Sequence, residues 1–122
     1  MAPSNAQREE DMRIVDKPWG HEEIWAETAR YAGKFLIISA GEMLSRQYHE
    51  KKEETIHGLD GVLILEIGKD PPQRLLLQPG ETYHVKPGTI HRFCAGETDV
   101  RLVEVSTPEL DDVVRLEDKY AR

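Results

Sequence analysis

The chain has 122 residues, of which 39% are hydrophobic and 32% are charged, and its formal net charge is -7. This size suits one globular domain, and the longest apolar runs are far shorter than the roughly 20 residues that span a bilayer, so no membrane segment is expected. The negative charge repels phosphate backbones, so nucleic acid is not expected as a partner.

The chain begins with a polar segment, residues 1–13, that lacks the apolar stretch of a secretory signal. We therefore interpret residues 1–13 as a flexible tail and residues 14–122 as one folded domain. The single cysteine, Cys94, has no disulfide partner in the chain, which suits a reducing compartment. The sequence therefore predicts a cytoplasmic protein.

From Tyr31 onward, short apolar runs are separated by Gly, Pro and Asp at intervals of about ten residues, which is typical of an all-β sandwich or barrel. We predict strands at 34–39, 54–57, 62–67, 74–77, 82–85, 91–94 and 100–106. The last segment stays open. Residues 107–109 suit the cap of a short helix, whereas residues 113–116 suit a strand equally well.

Four polar residues, Gln47, His49, Glu54 and His91, have spacings that can bring their side chains together. Gln47 and His49 are two residues apart, so both side chains share one face of an extended strand. Glu54 follows after a short turn, and a paired return strand can bring it opposite them, while His91 follows the turn at 86–88. Imidazole, carboxylate and amide ligands suit one divalent transition metal, with zinc ranked first and Mn, Fe, Co and Ni as alternatives. The competing interpretation is that these histidines are hydrogen-bonded structural residues.

These spacings resemble the two motifs of the cupin superfamily, G-x5-H-x-H-x4-E-x6-G and G-x5-P-x-G-x2-H-x3-N. The first runs here from Gly41 to Gly61, with Gln47 in place of the first histidine, and the second begins at Gly80. The resemblance implies a small single-domain cupin β-barrel, a double-stranded β-helix of the jelly-roll kind, with a metal inside it. The ligand roles carried over by the resemblance fall on Gln47, His49, Glu54 and His91.

Three further segments are similar to the cupin domain of type II phosphomannose isomerases, which also ends bifunctional mannose-1-phosphate guanylyltransferases. They are the entry K-P-W-G-H-E at 17–22, the pair Gln47-x-His49, and the ending at 112–122. The resemblance implies a metal-dependent isomerase or epimerase that acts on a sugar or a sugar phosphate. Because single-domain cupins commonly pair through exposed strands, we also expect a homodimer.

An isomerase of this kind needs a base and, for a phosphorylated sugar, positively charged side chains that bind the phosphate. Glu104 is the first candidate base, because it is a carboxylate within the otherwise apolar run 101–106, and Lys52 is the second. The alternative is that Glu104 faces solvent. Four cations are candidates for the phosphate: Arg92, Arg122, Arg46 and Lys34. The resemblance ranks Arg92 and Arg122 first.

Two other functions stay open. A non-catalytic cupin that binds a sugar or a metal, as a sensor or accessory module, is favoured by Glu50 and Lys51, which stand where the isomerase family has histidines. An Fe(II)-dependent oxygenase is the other, because small cupins often have that activity, although Gln47 departs from the usual ligand set.

Overall fold

The computed structural model describes residues 12–120 and contains eleven β-strands in that range. Within it, no helix is long and apolar enough to cross a membrane. The strands are β1 (Arg13–Lys17), β2 (Gly20–Glu27), β3 (Ala32–Ile38), β4 (Arg46–Tyr48), β5 (Glu54–Asp60), β6 (Leu63–Ile67), β7 (Gln73–Leu77), β8 (Thr82–Val85), β9 (His91–Ala95), β10 (Val100–Ser106) and β11 (Val114–Glu117).

The strands form two antiparallel sheets. The first has six strands in the order β1-β2-β3-β10-β5-β8, and the second has five in the order β11-β4-β9-β6-β7. From β3 to β11 the chain passes repeatedly between the two sheets, so neighbouring strands such as β3 and β10 are distant in sequence. The predicted all-β fold is confirmed.

The rows of inward-facing side chains change from apolar to polar along the barrel. In β3, β5, β9 and β10 the step of two residues that keeps a side chain on one face leads from a buried apolar residue to a buried polar one. These steps are Leu36 to Lys34, Ile56 to Glu54, Phe93 to His91, and Leu102 to Glu104. The apolar core therefore fills one part of the interior, and the polar groups gather next to it.

The β1–β2 hairpin adds an edge to the first sheet and brings Trp19 into the core, where the residue is 2% exposed. Gly20 has a φ of 151°, and a Cβ atom there would lie 1.9 Å from the carbonyl oxygen of Ile37. This close approach to β3 requires glycine. The Trp19 carbonyl then accepts a hydrogen bond from the Ser39 N–H at 2.9 Å.

All seven predicted strands are present, with boundaries shifted by at most three residues. The segment left open after residue 106 forms a strand, β11. Strands β1, β2 and the short β4 were not among the seven predicted strands. The tail predicted at 1–13 lies outside the described residues up to residue 11, and β1 begins at Arg13.

Candidate metal centre and adjoining pocket

The polar end of the barrel brings three candidate ligands to neighbouring strands. His49 follows the end of β4, Glu54 begins β5 and His91 begins β9. Gln47 is the direct Cα partner of His91 in the β4–β9 pair, so these two side chains share the inner face. The two sheets thereby supply the four predicted ligands from opposite walls.

His49, Glu54 and His91 form a compact buried triad. One ligand atom from each lies within 4.8 Å of the others. Oε1 of Glu54 lies 3.2 Å from Nε2 of His91 and 3.6 Å from Nε2 of His49. All three residues are at most 3% exposed.

Backbone carbonyls orient both imidazoles. Nδ1 of His49 donates to the carbonyl of Asp112 at 2.5 Å, and Nδ1 of His91 donates to that of Thr89 at 2.8 Å. A neutral imidazole whose Nδ1 carries the proton has its lone pair on Nε2. In each histidine that Nε2 is buried and has no hydrogen-bond partner within the described part of the chain.

The arrangement fits a divalent transition metal. Buried polar atoms are normally satisfied, and two unpaired imidazole nitrogens aimed at a carboxylate are the donors that such an ion binds. In metal sites, the histidine ring nitrogen that does not bind the ion usually donates a hydrogen bond to a carbonyl or carboxylate group, and this bond orients the ring. The Gln47 amide oxygen accepts from the Ser45 hydroxyl at 2.6 Å, which fixes the side chain of the fourth predicted ligand beside the triad.

A chain of alternating buried charges leads away from the triad. Lys52 Nζ lies 3.0 Å from Glu54 Oε2 and 3.2 Å from Glu104 Oε2, and Lys34 Nζ lies 3.7 Å from Glu104 Oε2 and 3.0 Å from Glu22 Oε2. Three carboxylates thus face two ammonium groups. The excess negative charge favours a bound cation.

Burial and neighbouring charges separate the two central carboxyl groups. Burial raises the pKa of Glu54, but the neighbouring imidazoles of His49 and His91 and the charge of Lys52 outweigh it and hold that pKa well below its usual value. Burial and the charge of Glu54 raise the pKa of Glu104 to about 6, although the charges of Lys52 and Lys34 act in the opposite direction. Burial opposes the charged form of Lys52, yet the two carboxylates raise its pKa. Glu54 is therefore ionised as a ligand must be.

The position of Glu104 settles an alternative that the sequence left open. Glu104 is 2% exposed and points inward from β10, whereas its neighbour Val105 is 49% exposed on the outer face. The alternative in which Glu104 faces solvent is therefore wrong. The lysines that flank it on both sides explain how a carboxylate is tolerated in the interior.

An open pocket adjoins this polar end of the barrel. His49 and Gln47 reach it from the triad, and Lys52 and Lys34 reach it from the charge chain. The remaining lining residues are Lys17, Trp19, Glu22, Leu44, Leu110, Val113 and Arg115. The pocket thus combines metal donors, cations and apolar walls.

The four cationic residues that were predicted to bind a phosphate do not all lie together. Lys34 lines the pocket, but Arg92 follows His91 and therefore points to the outer face, where its Nε donates to the Leu44 carbonyl at 2.9 Å. Arg46 also lies outside and donates to Glu66 at 2.8 Å. Arg122 lies outside the described residues.

Lys17 and Arg115 are pocket cations that the sequence reasoning missed. Lys17 belongs to β1, the edge of the first sheet, and Arg115 to β11, the edge of the second. Arg115 is the Cα partner of Gln47 and so shares its inward face. Within residues 12–120, neither is within ion-pair distance of a carboxylate, whereas Lys34 and Lys52 are both paired.

Two further histidines, His57 and His84, and the two departures from the isomerase pattern lie away from the triad. His57 points outward from β5 and shares a hydrogen bond of 2.8 Å with the Thr82 hydroxyl, and exposed His84 pairs with Glu53. Glu50 and Lys51 are exposed in the turn before β5 and are not among the pocket residues.

Comparison with known proteins gives matches over nearly the whole chain. The family model described as "Mannose-6-phosphate isomerase C-terminal" matches residues 4–118. The mannose-1-phosphate guanylyltransferase ManC of Salmonella typhimurium is 33% identical over 114 residues, and the xanthan biosynthesis protein XanB of Xanthomonas campestris is 29% identical over 114. Each alignment covers 90% of this chain but only 23% and 24% of those proteins, so the chain spans about a quarter of their length.

Solved structures agree on the fold. An RmlC-like cupin from Shewanella frigidimarina superposes with a TM-score of 0.74 at 14% identity, over 90% of this chain and 96% of that one. The predicted cupin barrel, a double-stranded β-helix, is therefore confirmed. At this identity the likeness concerns the fold alone.

Proposed function

The chain belongs to the family of mannose-6-phosphate isomerase C-terminal domains, and from that premise we propose that it is a metal-dependent isomerase or epimerase of a sugar or sugar phosphate. The observation that supports the proposal most is the buried triad of His49, Glu54 and His91 beside a pocket lined with cations. The ligand set we propose also includes Gln47. We propose zinc as the bound ion, with Mn, Fe, Co and Ni as alternatives.

The reaction moves a proton between adjacent carbons through an enediol, so it requires a proton acceptor and charge stabilisation at the carbonyl oxygen. His49, Glu54 and His91, with Gln47, would hold a divalent metal that, when bound, would supply Lewis-acid polarisation of that carbonyl. We assign to the Lys52 ammonium, which lines the pocket, a hydrogen bond to the same oxygen. Glu104 lies 3.2 Å from Lys52, and we assign to it the proton in transit between the two carbons.

We assign the grip on a charged substituent of the sugar to Lys17 and Arg115. They reach the pocket from the edges of the two sheets and have no carboxylate partner among residues 12–120, so their charges are available to an anion. Lys34 is less available because Glu22 and Glu104 engage it. Arg92 faces the outer side of the second sheet, so we do not place it in this grip.

The Lys17→Gln and Arg115→Gln variants are expected to raise KM for a hexose 6-phosphate by roughly 10-fold to 100-fold each while kcat changes little. The reason is that a charge-assisted hydrogen bond to a phosphate contributes about 1.5–3 kcal/mol, in the ground state as in the transition state. Lys69→Gln, at an exposed lysine between β6 and β7, serves as the control. An unchanged KM in both variants would exclude the assignment.

The proposed function is tested with metal-loaded protein and a panel of aldoses and their 6-phosphates, followed by NMR for ketose or epimer formation. Conversion that requires the metal supports the proposal. Tight binding of a sugar without conversion of any panel member would instead favour the sensor or accessory module.

A second candidate, the Fe(II)-dependent oxygenase, is favoured by one observation. Two histidines and one carboxylate that leave open positions are also the ligand set of non-haem iron oxygenases, and the triad has this composition. Oxygen uptake by the Fe(II)-loaded protein, measured with an oxygen electrode, separates the two functions. Uptake coupled to substrate loss, with no isomerisation, would replace the isomerase proposal.

We also propose that the protein is a cytoplasmic homodimer, as the sequence suggests. The outer face of the first sheet presents Ile14, Trp25 and Val105, which are 54%, 43% and 49% exposed. The Trp25 ring packs against Phe35 with centroids 6.0 Å apart, so these side chains form an apolar patch on that face. Sedimentation velocity is expected to give twice the chain mass of 14.0 kDa for the wild type and a shift to monomer in Trp25→Ser. A wild-type monomer would contradict the pairing.

A further inference from the structure

The segment at 107–113, which joins β10 to β11 and which we call the wall segment, forms one side of the pocket. Leu110 and Val113 line the pocket from it. It is tied at its start to the turn before β5, because the N–H of Thr107 donates to the Glu53 carbonyl at 3.0 Å and the Thr107 hydroxyl accepts from the Glu53 N–H at 3.0 Å.

Asp112 ties the other end of the wall segment to the same turn. Its carboxylate accepts hydrogen bonds from three successive backbone N–H groups, those of Glu50 at 3.1 Å, Lys51 at 2.7 Å and Lys52 at 2.9 Å. These residues are part of the stretch between two candidate ligands, His49 and Glu54. The backbone carbonyl of Asp112 also accepts the Nδ1 proton of His49.

The two histidines of the triad therefore depend on different parts of the chain. His91 is oriented by the carbonyl of Thr89, two residues away in its own turn. His49 is oriented by a residue 63 positions away. Its ring direction is fixed only while the wall segment stays in place.

From these contacts we propose that Asp112 is a positioning residue that couples the wall of the pocket to the metal centre. The carboxylate holds the turn, the carbonyl holds the His49 ring, and both act through one residue of the wall segment. Coupling of this kind is reciprocal. Loosening the wall weakens metal binding, and removing the metal loosens the wall. The inference rests on the metal-site part of the proposed function.

The test compares Asp112→Ala and Asp112→Asn with the control Asp111→Ala, which removes a neighbouring exposed carboxylate. Affinity for Zn²⁺ and Co²⁺ is measured by competition with a chelating dye. We expect Asp112→Ala to bind about 10-fold to 100-fold more weakly, as is usual for the loss of outer support at a metal site. Asp112→Asn keeps an acceptor oxygen without the charge, so it should fall between wild type and Asp112→Ala, and Asp111→Ala should match wild type.

Two further readouts separate positioning from a general loss of stability. The visible absorption spectrum of bound Co²⁺ should change in Asp112→Ala, because the His49 ring is no longer held in one direction. Hydrogen exchange at the amides of residues 50–52 should be slowed by metal in the wild type and not in Asp112→Ala. If Asp112→Ala does not fold, Asp112→Asn carries the same three measurements.

The inference is overturned if a folded Asp112 variant binds both ions with wild-type affinity and an unchanged Co²⁺ spectrum. Wild-type protein that binds metal would in that case leave the proposed function intact. Wild-type protein that binds no metal overturns the inference and the metal site together.

Discussion

The His49→Ala, His91→Ala double variant is expected to hold no transition metal, whereas the wild type holds about one ion per chain. The two substitutions remove both unpaired Nε2 atoms and leave Glu54 with Lys52 as its charged partner. One carboxylate already neutralised by an ammonium group does not bind a transition metal tightly. The measurement is elemental analysis of tag-free protein purified without chelators.

The matched control for this experiment is His57→Ala, His84→Ala, which removes two histidines outside the triad. It should keep the wild-type metal content, because neither ring contacts the triad residues. Equal metal content in both double variants would place the metal elsewhere. If the wild type holds little metal even after incubation with Zn, Mn, Fe, Co and Ni, the triad is not a metal site.

Glu104→Gln is expected to lower kcat by roughly 100-fold to 10,000-fold with little change in metal content, because a positioned base contributes that factor to proton transfer. The amide keeps the shape of the side chain but cannot accept the proton. Lys52 retains Glu54 as a partner and Lys34 retains Glu22, so each lysine still has a carboxylate. The measurement is kcat for the best substrate of the panel, with metal content determined on the same samples.

Glu66→Gln is the control for the loss of a buried carboxylate. Glu66 accepts from Arg46 at 2.8 Å on the outer face of the second sheet, so the substitution also breaks an ion pair of low exposure. A similar fall in melting temperature, with activity lost only in Glu104→Gln, would assign the effect to the chemistry. Full activity in Glu104→Gln would transfer the role of base to another group.

The sequence was sufficient for the parts of the fold in which the apolar period is regular. Strands β3, β6 and β10 alternate or run continuously with apolar residues, and they contribute many of the core residues. The first two strands, β1 and β2, carry charges on both faces and show no such period. Their place in the sheet follows from tertiary pairing, which a local pattern does not contain.

The clustering of His49, Glu54 and His91 was predictable from the sequence, but the surroundings of this cluster were predictable only in part. The spacing within the predicted strands and turns was enough to indicate that these three side chains could meet. Arg115 was missed because Val114 and Leu116 suggest that apolar side chains face inward, whereas β11 is an edge strand at the pocket and turns Arg115 inward instead. Its direction depends on its register with β4.

The polar contacts of Asp112, Lys34 and Lys52 could not be predicted from the sequence either. The contacts of Asp112 with residues 49–52 join residues that are 60 to 63 positions apart, so the local spacing of the sequence does not indicate them. The sequence singled out Glu104 as a charge in an apolar run, but its ammonium partners Lys34 and Lys52 come from two other segments. Only the folded sheet reveals that the charge is paired.

The most direct test of the central claim is solvent deuterium exchange. Metal-loaded and metal-free protein are incubated in deuterium oxide with a hexose 6-phosphate, and the proton on the carbon next to the carbonyl is followed by NMR. We expect exchange or incorporation at that carbon only with the metal-loaded protein, because proton transfer between adjacent carbons passes through an exchangeable group. Metal-loaded protein that binds the sugar phosphate and leaves that proton in place would contradict the isomerase account.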